Sequence, residues 1–446
     1  MNLAVSRRLC IFLGLAVTIG LGPAQADREL PAFPGAEGFG STTPGGRGGL
    51  VLQVTNLNDA GPGSLREACE TDGPRIVIFR VSGLISLQSP LVVRKPYLTL
   101  SGQTAPGDGV CLRNFPFEVA THDVVVRYLR SRLGDQSGQE SDCMTLGRGA
   151  RNSILDHCSA TWSVDEDLSL AGDVADCTVQ WCLIAEGLNR SIHKKGPHGY
   201  GSLARANGPV SFHHNLWAHN DSRNPRLGDN YGRPPYPVFD VRNNVMYDYG
   251  AICTGLTQGV LKVNYVGNTI RPGPSSKARF PIRIGGPSDI QFYIRGNLFE
   301  GNPSLTADNS LFFDPVEIDG KRQVRSVADP FPAPPVRTVS AQEAYEAVLA
   351  EAGASLPARD SVDARIVDEV RKRSGSIIDS QKQVGGWPVY RTAAPPKDSD
   401  GDGIPDEWEV SHGLNPKDPA DAAQVRAGHE YTNIEEYIND ARKQKQ

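Results

Sequence analysis

Between residues 50 and 300 the chain is built from ten short β-branched runs, each closed by turn residues: "LVLQVT", "RIVIFRVSG", "YLTLSG", "DVVVRYLRS", "NSILDHCS", "CTVQWCLIAEG", "VSFHHNLWAHN", "FDVRNNVMYD", "LKVNYVGNTI" and "IQFYIRGNLFEGN". The last six share a shape: a strand, a polar bend and a second short strand. Aligning them puts Cys158, Cys182, Asn215, Asn244, Asn268 and Asn297 in one column, at spacings of 24, 33, 29, 24 and 29 residues. A unit that short cannot bury an apolar face alone and must stack on its neighbours. The pattern predicts an all-β fold, a parallel β-helix (solenoid) in which each bend asparagine hydrogen-bonds its counterpart one rung away. Cys158 and Cys182 then read as small buried stackers rather than nucleophiles.

The 33-residue spacing holds an excursion, "NRSIHKKGPHGYGS", and long loops on a rigid scaffold are where function gathers. Beyond it, "NDSRNPRLGD" sets Arg223 and Arg226 either side of Pro225, which fixes its own φ and biases Asn224 towards an extended conformation. Alone, such a segment is a solvated basic turn. Here stacked rungs bring Glu140 and Asp142 of "ESDCMTL", and Asp165, Glu166 and Asp167 of "SVDEDLSL", to the face where Arg223 and the Lys195/His198 loop emerge. Carboxylates beside arginines suit a bound cation meeting an anionic ligand. Asp156-His157 lies inside a strand pattern, where a satisfied core pair is favoured over a catalytic dyad. His213 and His214 alternate across a strand, so at most one faces a given side. "GGRGG" lacks the strand-and-lysine context of a phosphate loop and reads as backbone turns.

The first 26 residues, "MNLAVSRRLCIFLGLAVTIGLGPAQA", carry a basic start, an apolar stretch and a small-x-small end, the pattern of a secretory signal, which predicts an extracellular or periplasmic protein. The apolar run is too short for a membrane span and no other segment could form one. Removing Arg7 and Arg8 with it takes the formal charge from −5 to −7, which argues against a nucleic-acid partner bound through a broad basic surface. The seven remaining cysteines match neither a disulfide framework nor a zinc site, though one or two bridges have room to form. After about residue 325, "SAQEAYEAVLAEAGAS" opens with Ser340 and Glu343 in a capping-box arrangement, and "DSVDARIVDEVRKRSG" predicts a second helix.

At the far end, "DSDGDGIPDEWE" places Asp398, Asp400, Asp402, Gly403, Ile404, Asp406 and Glu409 at positions 1, 3, 5, 6, 7, 9 and 12 of an EF-hand-like loop. That register supplies alternate carboxylates, a sharp turn, a backbone carbonyl and a bidentate acid for Ca2+. A degenerate second copy has Asn433 and Glu436 in register but Val425, Ala427 and His429 where ligands belong. The module resembles the dockerin-like and calcium-repeat tails of secreted bacterial proteins, which implies stability or protein attachment rather than catalysis.

Residues 33–49, "FPGAEGFGSTTPGGRGG", with "VTNLNDAGPGSLREA", "RIVIFRVSGLI", "NSILDHCS" and "FHHNLWAHNDSRNPRLGD", resemble the pectate lyases of polysaccharide lyase family 1, right-handed parallel β-helices that cleave polygalacturonate by calcium-assisted β-elimination. The resemblance implies that Glu140 and Asp142 occupy the family's acid-x-acid calcium position, that the second carboxylate pair lies among Asp165, Glu166 and Asp167, and that Arg223 is the proposed proton abstractor. Gly228 stands where the family has a further arginine, leaving Arg226 or Arg233 to bind substrate; Lys195 and His198 are candidates for the family's substrate lysine. Elimination removes the C5 proton of a uronate, and a cation beside the carboxylate stabilises the enolate-like charge. An arginine base conflicts with the ordinary guanidinium pKa above 12, so Arg223 is either base or charge stabiliser.

The expected organisation is a signal peptide (1–26), a catalytic β-helix (27–325), a helical extension and linker (326–396) and a calcium module (397–446). The expected function is a secreted, calcium-dependent lyase of pectate or a related acidic polysaccharide. A β-helix hydrolase acting on pectin, or a non-catalytic glycan-binding surface protein, are its rivals.

Overall fold

The computed structural model describes residues 29–314 and 323–443; the expected signal segment lies outside the described residues. Within them the short runs coil into a parallel β-helix with three sheets of eleven, eight and nine strands. The long sheet runs from Leu50–Val54 to Val324–Ser326, the second from Leu91–Val93 to Ile282–Ile284, and the third from Gly83–Ser86 to Leu298–Phe299. Register brings like residues above like. Val126, Leu155, Val179, Phe212 and Val241 stack as one inward row of the long sheet and are buried in the apolar lumen. Burial of such rows is the main favourable term for a solenoid whose single rungs have no core.

The expected column forms. Asn215 Oδ1 accepts from Cys182 N–H at 2.9 Å, Asn244 Oδ1 from Asn215 N–H at 2.9 Å, Asn268 Oδ1 from Asn244 N–H at 3.0 Å, and Asn297 Oδ1 from Asn268 N–H at 2.8 Å. Asn309, in a turn of 3-10 helix, adds a final step by accepting from Asn297 N–H at 2.8 Å. The residue before each column position has a left-handed backbone, His157, Trp181, His214, Asn243, Gly267 and Gly296, and so does Tyr128 one rung before them, with φ between 52 and 68°. Non-glycine residues resist that conformation. Here stacking helps hold it, with ring centroids 4.7 Å apart for Tyr128–His157, 5.8 Å for His157–Trp181 and 4.3 Å for Trp181–His214. Asp156 is buried beside this stack, 2.7 Å from His157 Nδ1 and 2.9 Å from Arg127 Nε. Burial alone raises its pKa, but His157 and Arg127 hold the carboxyl well below its usual range. The pair belongs to the wall of the coil. The seven cysteines among the described residues are buried and free.

Other segments cover the coil. Helices α1 (Leu65–Glu70) and α2 (Pro303–Ala307) pack Leu65, Ala68 and Leu305 onto the lumen core. Residues 31–49 lie along the long sheet: Gly40 and Gly46 donate to Thr178 Oγ1 and Thr99 Oγ1, each at 2.9 Å. They pass so close that a Cβ on Gly46 would come within 1.9 Å of the Arg75 carbonyl oxygen. Helices α3 (Ala341–Glu351) and α4 (Ser361–Lys372) cover the third sheet through Tyr345, Val348, Ile366 and Val370, packed on Leu183, Leu216 and Val245. The capping box of Ser340 and Glu343 starts α3. Arg132 of the third sheet anchors α4 by pairing with Asp360 at 3.1 Å and Asp363 at 2.7 Å. Helices α5 (Asp406–His412) and α6 (Asn433–Lys443) close on the first strands of the long sheet. The second sheet presents polar side chains outward, and the excursion opens beside it.

Candidate active site

Just before the second-sheet strands Met144–Leu146 and Leu168–Ala171, successive rungs set Asp142 beside Asp165 and Glu166. Glu166, Tyr200 and Ser222 continue the register as isolated parallel bridges, so Arg223 emerges one rung beyond the excursion and two beyond the acids. This is why residues far apart in sequence meet. Oxygens of Asp142, Asp165 and Glu166 all lie within 4.8 Å of one another. Asp142 accepts from Glu166 N–H at 3.2 Å and Thr145 Oγ1 at 3.4 Å. Burial, which disfavours the charged form, and then the like charge of Asp165 push Asp142 up to about 7. Asp167 is turned inward and fully buried, accepting from Ser163 N–H at 3.1 Å.

Arg223 pairs with Glu166 through Nη1 and lies over the Tyr200 ring, 3.9 Å from its centroid. Burial and the charge of Arg226 pull its pKa down to about 10, against the opposing pull of Asp165 and Asp142. Its backbone φ is +65°; its carbonyl accepts from Ser202 N–H on one rung, and the next N–H, that of Asn224, donates to Cys253 O on the other. Asn220 braces the loop, accepting from Gly187 N–H at 3.0 Å and donating to Asn224 Oδ1 at 3.1 Å.

The other expected residues divide. Arg226 is on the second sheet: its register partner is Gly255, over which its side chain lies, and its Nη2 reaches the space beside Gly285. Arg233 is exposed in the turn after the sheet, separate from Arg226. Gly228 has no room for the family's arginine, since a Cβ there would meet Thr257 Oγ1 at 2.3 Å. Glu140 is not among the clustered acids: it is exposed and pairs with the Lys194 backbone N–H at 3.2 Å and Nζ at 3.5 Å. Lys195 is exposed, and its backbone N–H donates to His193 Nδ1 at 3.1 Å.

His198 faces Asp165 from the excursion, Nε2 to Oδ1 3.9 Å, as does His193, Nε2 to Oδ2 3.8 Å, the two rings stacked 3.7 Å apart. Their tautomers differ. His193 accepts at Nδ1, so when neutral it carries its proton on Nε2 towards Asp165, whereas His198 donates from Nδ1 to Gly196 O at 3.1 Å, leaving Nε2 bare. His193, Lys194, Tyr200 and Arg205 were not among the expected site residues. Arg205 is one rung from Gly228 on the second sheet, and its charge helps lower the pKa of Arg226 after burial. The alternation of Arg205 with Ala204 and Ala206 in its strand was the signal that it faces outward.

At the C-terminus, Asp398, Asp400 and Asp402 converge, and so do Asp402, Glu409 and Asp421, each set within 4.8 Å. Asp406 is drawn away by Lys397 Nζ and Ser399 N–H, both at 2.7 Å, so its carboxylate is turned from the convergent oxygens.

No protein-family model matches the chain. It is similar to a protein of Aspergillus flavus named probable pectate lyase C, 36% identical over 419 residues that span 92% of this chain and 94% of the relative. A protein of the same name from Aspergillus terreus is 35% identical over 435 residues, 96% of this chain and 98% of the relative. Among solved structures, the fold resembles the major allergen from cedar pollen, with a TM-score of 0.52 at 20% identity over 71% of this chain and 92% of the other. It also resembles a pectate lyase from Bacillus sp. N165 in complex with trigalacturonate, with a TM-score of 0.50 at 15% identity over 71% and 98%.

Proposed function

This chain belongs to the pectate lyase family of polysaccharide lyases, and we propose that it cleaves polygalacturonate or a related uronate polymer by calcium-dependent β-elimination on the open second sheet. The observation that carries this reading is the desolvated Arg223, stacked on Tyr200 beside the convergent Asp142, Asp165 and Glu166. Those three acids would hold the catalytic Ca2+, which when bound neutralises the uronate carboxylate and acidifies C5–H. Glu166 can give its carboxylate to Arg223, as it does here, or turn it towards a cation alongside Asp142 and Asp165. In the second arrangement Arg223 is released towards the sugar. Burial and the neighbouring Arg226 lower the pKa of Arg223, which favours it as the group that takes the C5 proton. Arg226 and Arg205 supply fixed charge for the neighbouring uronates of the same polymer.

The loop at residues 398–409 is read as a second Ca2+ site, and the 1–26 segment as the signal that delivers the enzyme to polymer outside the cell. The test is absorbance of the 4,5-unsaturated product from polygalacturonate, with and without chelator. Equal rates in chelated and calcium-replete protein, or reducing ends without absorbance, would reject the reading.

A further inference from the structure

We propose that the C-terminal loop is an intramolecular clamp: a calcium ion held by Asp398, Asp400, Asp402, the Ile404 carbonyl, Glu409 and, from outside the loop, Asp421 fastens the end of the chain onto the first two strands of the long sheet. This rests on the reading that the loop takes calcium; it adds Asp421 to the ligands and assigns the ion a task.

The first support is unmet polar demand. Glu409 is fully buried and neither carboxylate oxygen has a hydrogen-bond partner. Asp402 and Asp421, 6% and 7% exposed, each leave one oxygen unpartnered as well, as does Asp400. Of the loop's neighbouring basic groups, Lys397 is committed to Asp406 at 2.7 Å, and Arg80 approaches only Asp398, at 3.9 Å, which leaves Glu409, Asp402 and Asp421 without a paired cation. Buried acids without a cation are costly, and convergent hard oxygens with spare lone pairs are what Ca2+ takes. Asp421 lies twelve residues beyond Glu409, outside any loop template, yet it is firmly placed. Its Oδ2 accepts from Asn415 N–H at 3.2 Å, and its carbonyl accepts from Asn433 Nδ2 at 2.8 Å at the start of α6.

The second support is where the loop sits. Ile404, Trp408, Ile434 and Ile438 pack against Ile76 and Ile78 of the long sheet. Gly403 passes so close that a Cβ would come within 2.7 Å of Val51 Cγ1. Gln53 Nε2 donates to the ligand Asp398 at 3.1 Å and to Gly401 O at 3.0 Å, tying the coordinating loop directly to the first strand. Arg47 holds Glu435 at 2.8 Å and Arg127 holds Asn439 at 2.9 Å. The apolar face that an attachment module would offer a protein partner is occupied by the coil itself.

The experiment uses the full mature chain, stripped with chelator and titrated with Ca2+ while bound ions, melting temperature and amide exchange are followed. Calcium is expected to raise Tm by roughly 5 °C and to slow exchange in Leu50–Val54 and Arg75–Phe79. Asp421→Asn should weaken one bound ion by about tenfold or more and lose that protection, with turnover at saturating calcium unchanged. Gln53→Ala should keep the ion but lose part of the strand protection, which preserves the test if Asp421→Asn does not fold. Unaltered ion affinity in Asp421→Asn, or no calcium-dependent protection of the two strands, would overturn the clamp while leaving the loop a calcium site. An Asp402→Asn variant with unchanged ion count and affinity would overturn the calcium loop itself.

Discussion

Two acid clusters in this molecule look alike in composition and differ in their counter-charge. In the cleft, Glu166 is paired with Arg223, so on the proposed function a cation competes with a guanidinium and frees it for substrate. In the C-terminal loop, the Glu409 carboxylate is fully buried and neither of its oxygens has a hydrogen-bond partner. Under the proposals above, the first arrangement makes ion binding part of a chemical event and the second makes it a condition of the fold. Acid count alone could not separate them; what does is that Arg223 pairs closely with Glu166, whereas Arg80, 3.9 Å from Asp398, leaves Glu409 without a partner.

The sharpest way to break this contrast is Arg223→Ala, expected to cost about 10³-fold in kcat while tightening the cleft's hold on calcium, because Glu166 loses its competitor. Turnover and ion affinity measured together decide it, and weaker calcium binding would contradict the competition. Next, Asp142→Asn should raise the calcium concentration needed for half-maximal activity by at least about tenfold and leave Tm nearly unchanged, the mirror image of Asp421→Asn.

A third gathering of acids sharpens the contrast because its cation is built in. His219 sits between Asp248 at 2.8 Å and Glu369 of α4 at 3.3 Å. Burial alone would lower its pKa, but Asp248 and Glu369, with Glu186 nearby, lift it to about 9. Its stabilising contribution is therefore complete below its ordinary value of 6.5 and is lost as pH rises through 9. The amount is on the order of 3 kcal/mol. Melting curves from pH 6 to 10 should show that loss in the native chain and a flatter profile in His219→Gln. The smallest effect expected is from Asn244→Ala, about 1–3 kcal/mol of coil stability, seen by denaturant melting with unchanged calcium affinity at either cluster.

Much of the coil was legible because rung stacking repeats in the sequence: the asparagine column from Asn215 to Asn297 forms as its spacing suggests, and Asn309 escaped only because it arrives on a 3-10 turn instead of a strand. The convergence of Asp398, Asp400 and Asp402 was legible for a similar reason, since alternate residues of a tight loop turn to one side. What could not be read was anything decided between distant segments. Nothing near Asp421 marks it as a partner of Glu409, and nothing near Asp406 says that Lys397 and Ser399 will claim it. In the cleft, Glu140 and Asp142 are two residues apart, yet the turn into the strand sends one outward to Lys194 and the other to Asp165 and Glu166. The excursion's histidines were visible as residues, but their opposite proton placements come from Lys195 N–H and Gly196 O after the loop is folded.

The junction of the first strand with the segment around Asp398 and Glu435 sets a schedule for making the molecule. Gln53 bonds to Asp398 across a separation of 345 residues, and Arg47 to Glu435 across 388. Contacts of that span form late. Rungs can zip up as they leave the ribosome, but Ile76 and Ile78 stay bare until Ile404, Trp408, Ile434 and Ile438 have been made. A nonsense mutation anywhere upstream of Trp408 leaves that greasy strip uncovered, and such products should reveal themselves as insoluble debris rather than as weak enzymes.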